Sequence, residues 1–323
     1  MIRWLCALPA LAFVLALPAH AGAQERYAIV VSGATGGPSY AQQYSAWTRT
    51  LTMALVERLK FEPARIVNLS ESSDPAQSAT AANVRRAFAD LRTRAKANDL
   101  LFVFLIGHGT FDGVDAKFNL VGPDMDLTEW AALLRSFPSR LIVVNSAPAS
   151  SPFIERLSGP RRVIVSATDS VVQRFDTVFP EYFIAAFGEE SSDIDKNGRT
   201  SIWEAFAWAA GAVRRHYQQR GQLATERPLL DDNGDGVGRE ASSQGGDGSF
   251  ASRTYLDAPA AGAPPTDDVL VELLQRRASL VAEVEELRVK KAFMSPDEYG
   301  REFERVMLAL ARVGREIRAR NPS

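Results

Sequence analysis

Cysteine is almost missing from this chain: one of its 323 residues, Cys6, is a cysteine. It sits among the first 23 residues, where Arg3, an apolar run from Leu5 to Leu17 and the small-residue steps Ala19-His20-Ala21 and Ala21-Gly22-Ala23 make the pattern of a cleaved bacterial export signal. The run is too short for a membrane span, so no transmembrane anchor is expected once residues 1–23 are removed. The mature chain would then hold no thiol, which excludes an internal disulfide, a thiolate nucleophile and a cysteine metal site. Histidine is nearly as scarce: of 3 in the sequence, His20 leaves with the signal and only His108 and His216 remain.

An excess of either charge is also lacking. With 37 basic and 39 acidic residues the formal net charge is -2, and no basic excess calls for a nucleic-acid partner. The glycine-rich turn Gly33-Ala34-Thr35-Gly36-Gly37-Pro38 has neither a P-loop lysine nor the G-x-G-x-x-G spacing. It reads as a flexible loop at a sheet edge.

What the chain does have is a set of unalternating apolar runs. The longest ordered one, Asp99 to Ile106 (DLLFVFLI), is a strand buried on both faces, and it stops at Gly107-His108-Gly109. Tyr27 to Ser32, Ala64 to Leu69, Arg140 to Asn145 and Arg162 to Thr168 are further strands. Helical spacing recurs between them: Tyr44 to Leu59, Thr80 to Lys96, Leu127 to Phe137, and Phe179 to Phe187. Phe118 to Val121 reads as a small hairpin arm. This alternation predicts an α/β fold with a largely parallel sheet and helices on both faces. In such sheets chemistry collects beyond the carboxyl ends of the strands, where His108 stands.

A hydrophobic strand ending in Gly-His-Gly, followed by a second strand ending in a small-residue loop, resembles the caspase and legumain clan of cysteine peptidases, closest to its bacterial legumain-like branch. The resemblance covers roughly residues 25 to 220 and implies a caspase-like sheet. It places His108 at the dyad histidine. It also places Asn145-Ser146-Ala147-Pro148-Ala149-Ser150 on the nucleophile segment, with Ala147 where the cysteine stands. Ser39-Tyr40-Ala41-Gln42-Gln43 is similar to the N-Y-R-H-Q segment of legumains, with Ala41 at the substrate-binding arginine. A methyl group cannot attack a carbonyl. An inactive peptidase relative is the expectation. The alternative is a hydrolase in which Ser146, Ser150 or Ser151 acts with His108, although no G-x-S-x-G elbow surrounds them. His108 can equally anchor a turn, and His216 reads as a surface or half-buried helical residue.

The second motif is Asp193-Ile194-Asp195-Lys196-Asn197-Gly198-Arg199-Thr200-Ser201-Ile202-Trp203-Glu204. Its spacing is that of an EF-hand calcium loop: Asp193, Asp195 and Asn197 by side chain, Arg199 by its carbonyl, Ser201 through water and Glu204 in bidentate fashion. An acidic loop that merely caps the next helix through Ser201 and Glu204 is the other reading. Asp231, Asn233 and Asp235, with Gly236, repeat the first half of such a loop. Ser242 replaces the bidentate residue, so any site there is weaker.

Residues 237–266 turn to Gly, Ser, Ala and Pro and read as a flexible linker. Beyond them, Asp267 to Lys291 and Pro296 to Arg320 predict an antiparallel helical hairpin whose second helix opens with a Ser295-Glu298 capping box. Two helices seldom bury enough surface alone, so the hairpin should pack on the α/β unit, pair with a copy, or grip a partner. The organisation expected is therefore a signal over 1–23, an α/β unit over 24–236, a linker over 237–266 and a hairpin over 267–323. The function expected is a periplasmic or secreted, calcium-stabilised module that binds a peptide or an envelope protein, of unspecified oligomeric state.

Overall fold

The computed structural model describes residues 24–135, 137–243, 246–258 and 267–320. The expected signal over 1–23 lies outside the described residues, as does part of the expected linker, 244–245 and 259–266.

In chain order the elements are β1 (Arg26–Ser32), α1 (Pro38–Met53), β2 (Ile66–Leu69), α2 (Ala81–Arg94), β3 (Leu100–Ile106), β4 (Gly109–Phe111), β5 (Ala116–Phe118), β6 (Met125–Asp126), α3 (Leu127–Arg135), β7 (Arg140–Asn145), α4 (Pro152–Leu157), β8 (Arg162–Ser166), α5 (Phe179–Ala186), α6 (Ile202–Gln219), β9 (Leu229–Asp231), α7 (Asp268–Lys290) and α8 (Pro296–Arg320). The α/β expectation holds. A six-stranded sheet runs β2-β1-β3-β7-β8-β9, parallel except for β9, and β4, β5 and β6 form a separate small antiparallel sheet.

Strand β3 is buried along its whole length because helices cover both sheet faces. Phe102, Phe104 and Ile106 join one core with Leu51, Phe183 and Phe206 from α1, α5 and α6. Leu101, Val103 and Leu105 point the other way, toward Phe88, Trp130 and Leu157 from α2, α3 and α4. The alternation of side chains along a strand divides the apolar content between these two layers.

The hairpin packs on the first layer. Leu270, Leu274, Leu280 and Leu287 of α7, with Val306, Val313 and Ile317 of α8, belong to the same core as the sheet. Asp267 caps α7 by accepting from the Leu270 N–H, and Arg320 at the end of α8 reaches back to pair with Asp267. Of the three fates open to the hairpin, docking on the α/β unit is the one observed.

The linker expectation needs correction over its described part. Residues 237–243 and 246–258 are built into the fold: Ala251 and Leu256 are fully buried, and Leu230 and Arg239 exchange both backbone hydrogen bonds. The physical reason lies in two carboxylates. Asp232 accepts from the Gly248 and Ala251 N–H groups, while Asp247 accepts from the Asp232 and Asn233 N–H groups. Backbone donors in a Gly/Ser-rich stretch are as good as any others, and here they are satisfied internally.

Candidate functional site

The Leu105–Asn145 register brings the ends of β3 and β7 side by side, so the Gly107-His108-Gly109 turn and the loop holding Ala147 leave the same sheet edge together. Gly109 marks how closely they approach. A Cβ there would stand 2.3 Å from the Pro148 carbonyl oxygen and 3.2 Å from the Ala147 methyl. The resemblance-implied pair, His108 and Ala147, thus belongs to adjoining turns, and Ala147 is fully buried.

Around His108 the structure assembles partners from three distant segments. Its Nε2 lies 3.2 Å from the Tyr44 hydroxyl and 3.3 Å from the Thr35 carbonyl oxygen. Its Nδ1 faces an Asp176 carboxylate oxygen at 3.7 Å. Tyr40 packs edge-on against the ring with centroids 4.7 Å apart and donates its own hydroxyl to Asp176. That hydrogen bond to a carboxylate raises the Tyr40 pKa, and burial pushes Tyr44 up well beyond the ordinary phenol range.

Two serines of the 146–151 loop, Ser146 and Ser150, have other commitments. Ser146 donates to the Leu105 carbonyl at 2.6 Å, and Ser150 accepts from the Ala167 and Thr168 N–H groups while sharing a hydrogen bond with the Thr168 hydroxyl. Among the described residues no serine hydroxyl is hydrogen-bonded to His108. A base can deprotonate only a group it reaches.

Beside this cluster opens a cleft of about 720 Å³ between the glycine-rich turn, α1 and β2, lined in part by Thr35, Gly36, Ala41, Tyr44 and Arg49. The turn is shaped by contact as well as composition: a Cβ on Gly33 would lie 2.1 Å from the Asn119 carbonyl oxygen. Thr35 is held by Glu71, which accepts from both its N–H and its hydroxyl and is thereby pulled below the usual carboxylate range. Pro38 starts α1 at its first position, so the helix begins six residues earlier than Tyr44, the predicted start. The Ser39–Gln43 segment therefore lies on a helix, which is how Tyr40 and Tyr44, four apart, come to face His108 together.

The 193–204 loop draws Asp193, Asp195 and Glu204 together, with one carboxylate oxygen of each within 4.8 Å of the others. Gly198 adopts φ +80°, which its position in the tight loop requires. Asn197 donates to Asp195 and to the Tyr255 hydroxyl, and the Arg199 side chain turns away to pair with Asp257. Ser201 and Glu204 form the reciprocal capping box at the start of α6, and Glu204 also accepts from the Ile194 and Asp195 N–H groups. Burial, added to the repulsion of neighbouring carboxylates, pushes Asp195 and Glu204 upward. The helix-cap reading is realised here, and the same loop gathers three carboxylates that could hold a metal ion.

The 231–236 loop is arranged differently. Asp231 accepts from the Gly234 and Gly236 N–H groups, Asn233 accepts from the Asp235 N–H, and Asp235 pairs with Arg239 at 2.9 Å. Arg239 also donates to the Val237 carbonyl and to Asp247. The positive charge in contact with this loop is a guanidinium.

Asp176, Glu226 and Asp232 were not legible as site residues. Glu226 is buried beneath the start of α5, accepting from the Val178 and Phe179 N–H groups and from the Tyr217 hydroxyl, and burial raises it to about 7. It fixes the segment that carries Asp176 and Thr177, whose hydroxyl donates to the Ser146 carbonyl. His216 of α6 meets the Tyr182 hydroxyl at 2.9 Å. Among the described residues no helix is long and apolar enough to cross a membrane.

No protein-family model matches the sequence, and no curated protein matches it. Among solved structures, a crystal structure of a protein from Geobacter sulfurreducens is similar to this chain at 14% identity and a TM-score of 0.45, covering 72% of this chain and 99% of that one.

Proposed function

We propose that this chain is an exported, catalytically inactive relative of the legumain-like peptidases that acts as a peptide-binding module, with a calcium ion stapling the 193–204 loop. The observation that carries the reading is the company His108 keeps. Its ring nitrogens meet Tyr44, Thr35 and Asp176, the neighbouring turn offers the methyl of Ala147, and Ser146 and Ser150 spend their hydroxyls on backbone groups. Histidine without a nucleophile cannot form an acyl-enzyme. What remains is an aromatic, polar surface that opens onto a cleft of about 720 Å³, concave enough to hold a few residues of extended chain.

The test is hydrolysis of a diverse peptide and ester library by the mature protein beside its His108→Ala variant. Neither protein is expected to turn substrate over. Turnover that vanishes in His108→Ala would establish a hydrolase with a non-cysteine nucleophile and overturn the inactive reading. Binding of the same peptides should weaken in Tyr40→Ala and His108→Ala.

For the loop, Asp193, Asp195 and Glu204 supply the hard oxygen donors that calcium prefers, and Asn197, the Arg199 carbonyl and Ser201 stand at the other ligand positions of the spacing. A divalent ion would relieve the repulsion among the buried carboxylates. Millimolar calcium should raise the melting temperature of the parent and leave Asp193→Ala and Glu204→Gln unchanged. An unchanged parent would remove the staple from this reading.

A further inference from the structure

A groove of about 780 Å³ runs between α6 and α7, bordered by Ile194 of the 193–204 loop. Its walls are apolar at Ile194, Trp208 and Val281, but five basic side chains line it: Arg214, Arg215, Arg227, Arg277 and Lys290. Three acidic residues also border it, and each is already engaged. Glu240 lies 3.7 Å from both Arg214 and Arg227, Glu286 pairs with Lys290, and Glu226 serves the start of α5.

Two cations are left over. Arg215 and Arg277 have no ion-pair partner among the described residues. Arg277 is half-buried, and desolvation pulls its pKa down. The anion whose field reaches it is Glu204, whose two oxygens are taken by the Ile194, Asp195 and Ser201 N–H groups. A guanidinium kept partly out of water without a hydrogen-bonded acceptor costs stability, and such a cost is retained where a ligand supplies the missing anion.

We propose that this groove binds an acidic peptide segment of a partner protein, with Arg277 receiving one of its carboxylates. The length of the groove along α7 favours a chain over a compact anion. Arg277 and Lys290 are thirteen residues apart on one helix, about 20 Å at the α-helical rise, a distance that roughly six residues of extended peptide span. Apolar side chains of the same segment would lie against Trp208 and Val281. The site lies away from the His108 cleft, and the proposal stands or falls separately from the reading of that cleft.

The experiment is selection of a random octapeptide display library on the full mature chain, followed by measured affinities. Selected peptides should be enriched in Asp and Glu interleaved with apolar residues. Their binding should weaken as salt rises, fall at least about tenfold in Arg277→Gln, and persist in His108→Ala. Arg277→Gln should melt at or above the parent's temperature, since it removes an unpaired, partly desolvated charge. The double variant Arg214→Gln with Arg215→Gln, on the facing helix, should also weaken binding and keeps the test decisive if Arg277→Gln proves unstable. Selection of no peptide, absence of acidic enrichment, or binding that both sets of substitutions leave intact would overturn the proposal. So would binders lost in His108→Ala alone.

Discussion

The Tyr44 hydroxyl stands 3.2 Å from Nε2 of His108, joining α1 to the turn at the end of the central strand β3. Tyr44 is 5% exposed, and burial holds its phenol protonated far above neutral pH. Tyr44→Phe keeps the ring and deletes this one hydrogen bond. It should cost roughly 0.5–1.5 kcal/mol in urea unfolding with an unchanged slope. A zero cost would mean that water replaces the hydroxyl without loss.

The Gly109 backbone passes so near the Pro148 carbonyl that a Cβ would stand 2.3 Å from it. Gly109→Ala must push the two turns apart, and the expected loss is roughly 1–3 kcal/mol, read as a lower urea midpoint. Gly113→Ala, where a Cβ meets nothing within 4 Å but φ is +104°, reports backbone strain alone and serves as the comparison.

Glu226 gives the protein a pH dependence of predictable sign. Burial raises its folded-state pKa from 4.5 to about 7, so the folded chain holds the proton more tightly than the unfolded one. Its contribution is complete below about pH 4.5 and is lost as pH rises through about 7. Parent stability, measured by unfolding at a series of pH values, should decline across that window relative to Glu226→Gln. Parallel curves for the two proteins would contradict the assignment.

Asp232 anchors the segment that composition alone would leave loose. Removing its carboxylate in Asp232→Ala strands the Gly248 and Ala251 N–H groups in a buried setting, at a cost of roughly 1.5–3 kcal/mol. Hydrogen exchange at those two amides should accelerate far more than at the β3 amides. Equal acceleration everywhere would indicate global destabilisation.

The parallel strands were legible because β3, β7 and β8 are buried on both faces and so carry unbroken apolar runs. The acidic loop was legible because its oxygen-bearing residues are spaced within one short segment, and the fold gathers Asp193, Asp195 and Glu204 together. Other features depend on contacts that no local pattern encodes. Strand β9 is three residues long and ends in Asp231, so it reads as part of an acidic turn. The surroundings of His108 come from residues 35, 40, 44 and 176, and Asp176 lies in a loop whose position is set by Glu226, fifty residues further on. The 246–258 stretch looked flexible because glycine and serine have weak preferences of their own. Two aspartates, Asp232 outside the stretch and Asp247 within it, decide its conformation.

The sheet ends at β2 on one side, four residues long, and at β9 on the other, three residues long, with Arg239 already exchanging backbone hydrogen bonds with Leu230. Neither border therefore presents a long row of open N–H and C=O groups onto which a neighbouring molecule can add a strand. The very apolar β3, which would seed fibrils if exposed, sits two places in from the nearer border. A chain with no disulfide to lock it thus keeps its most apolar strand away from sheet-edge pairing by the order in which its strands are laid down.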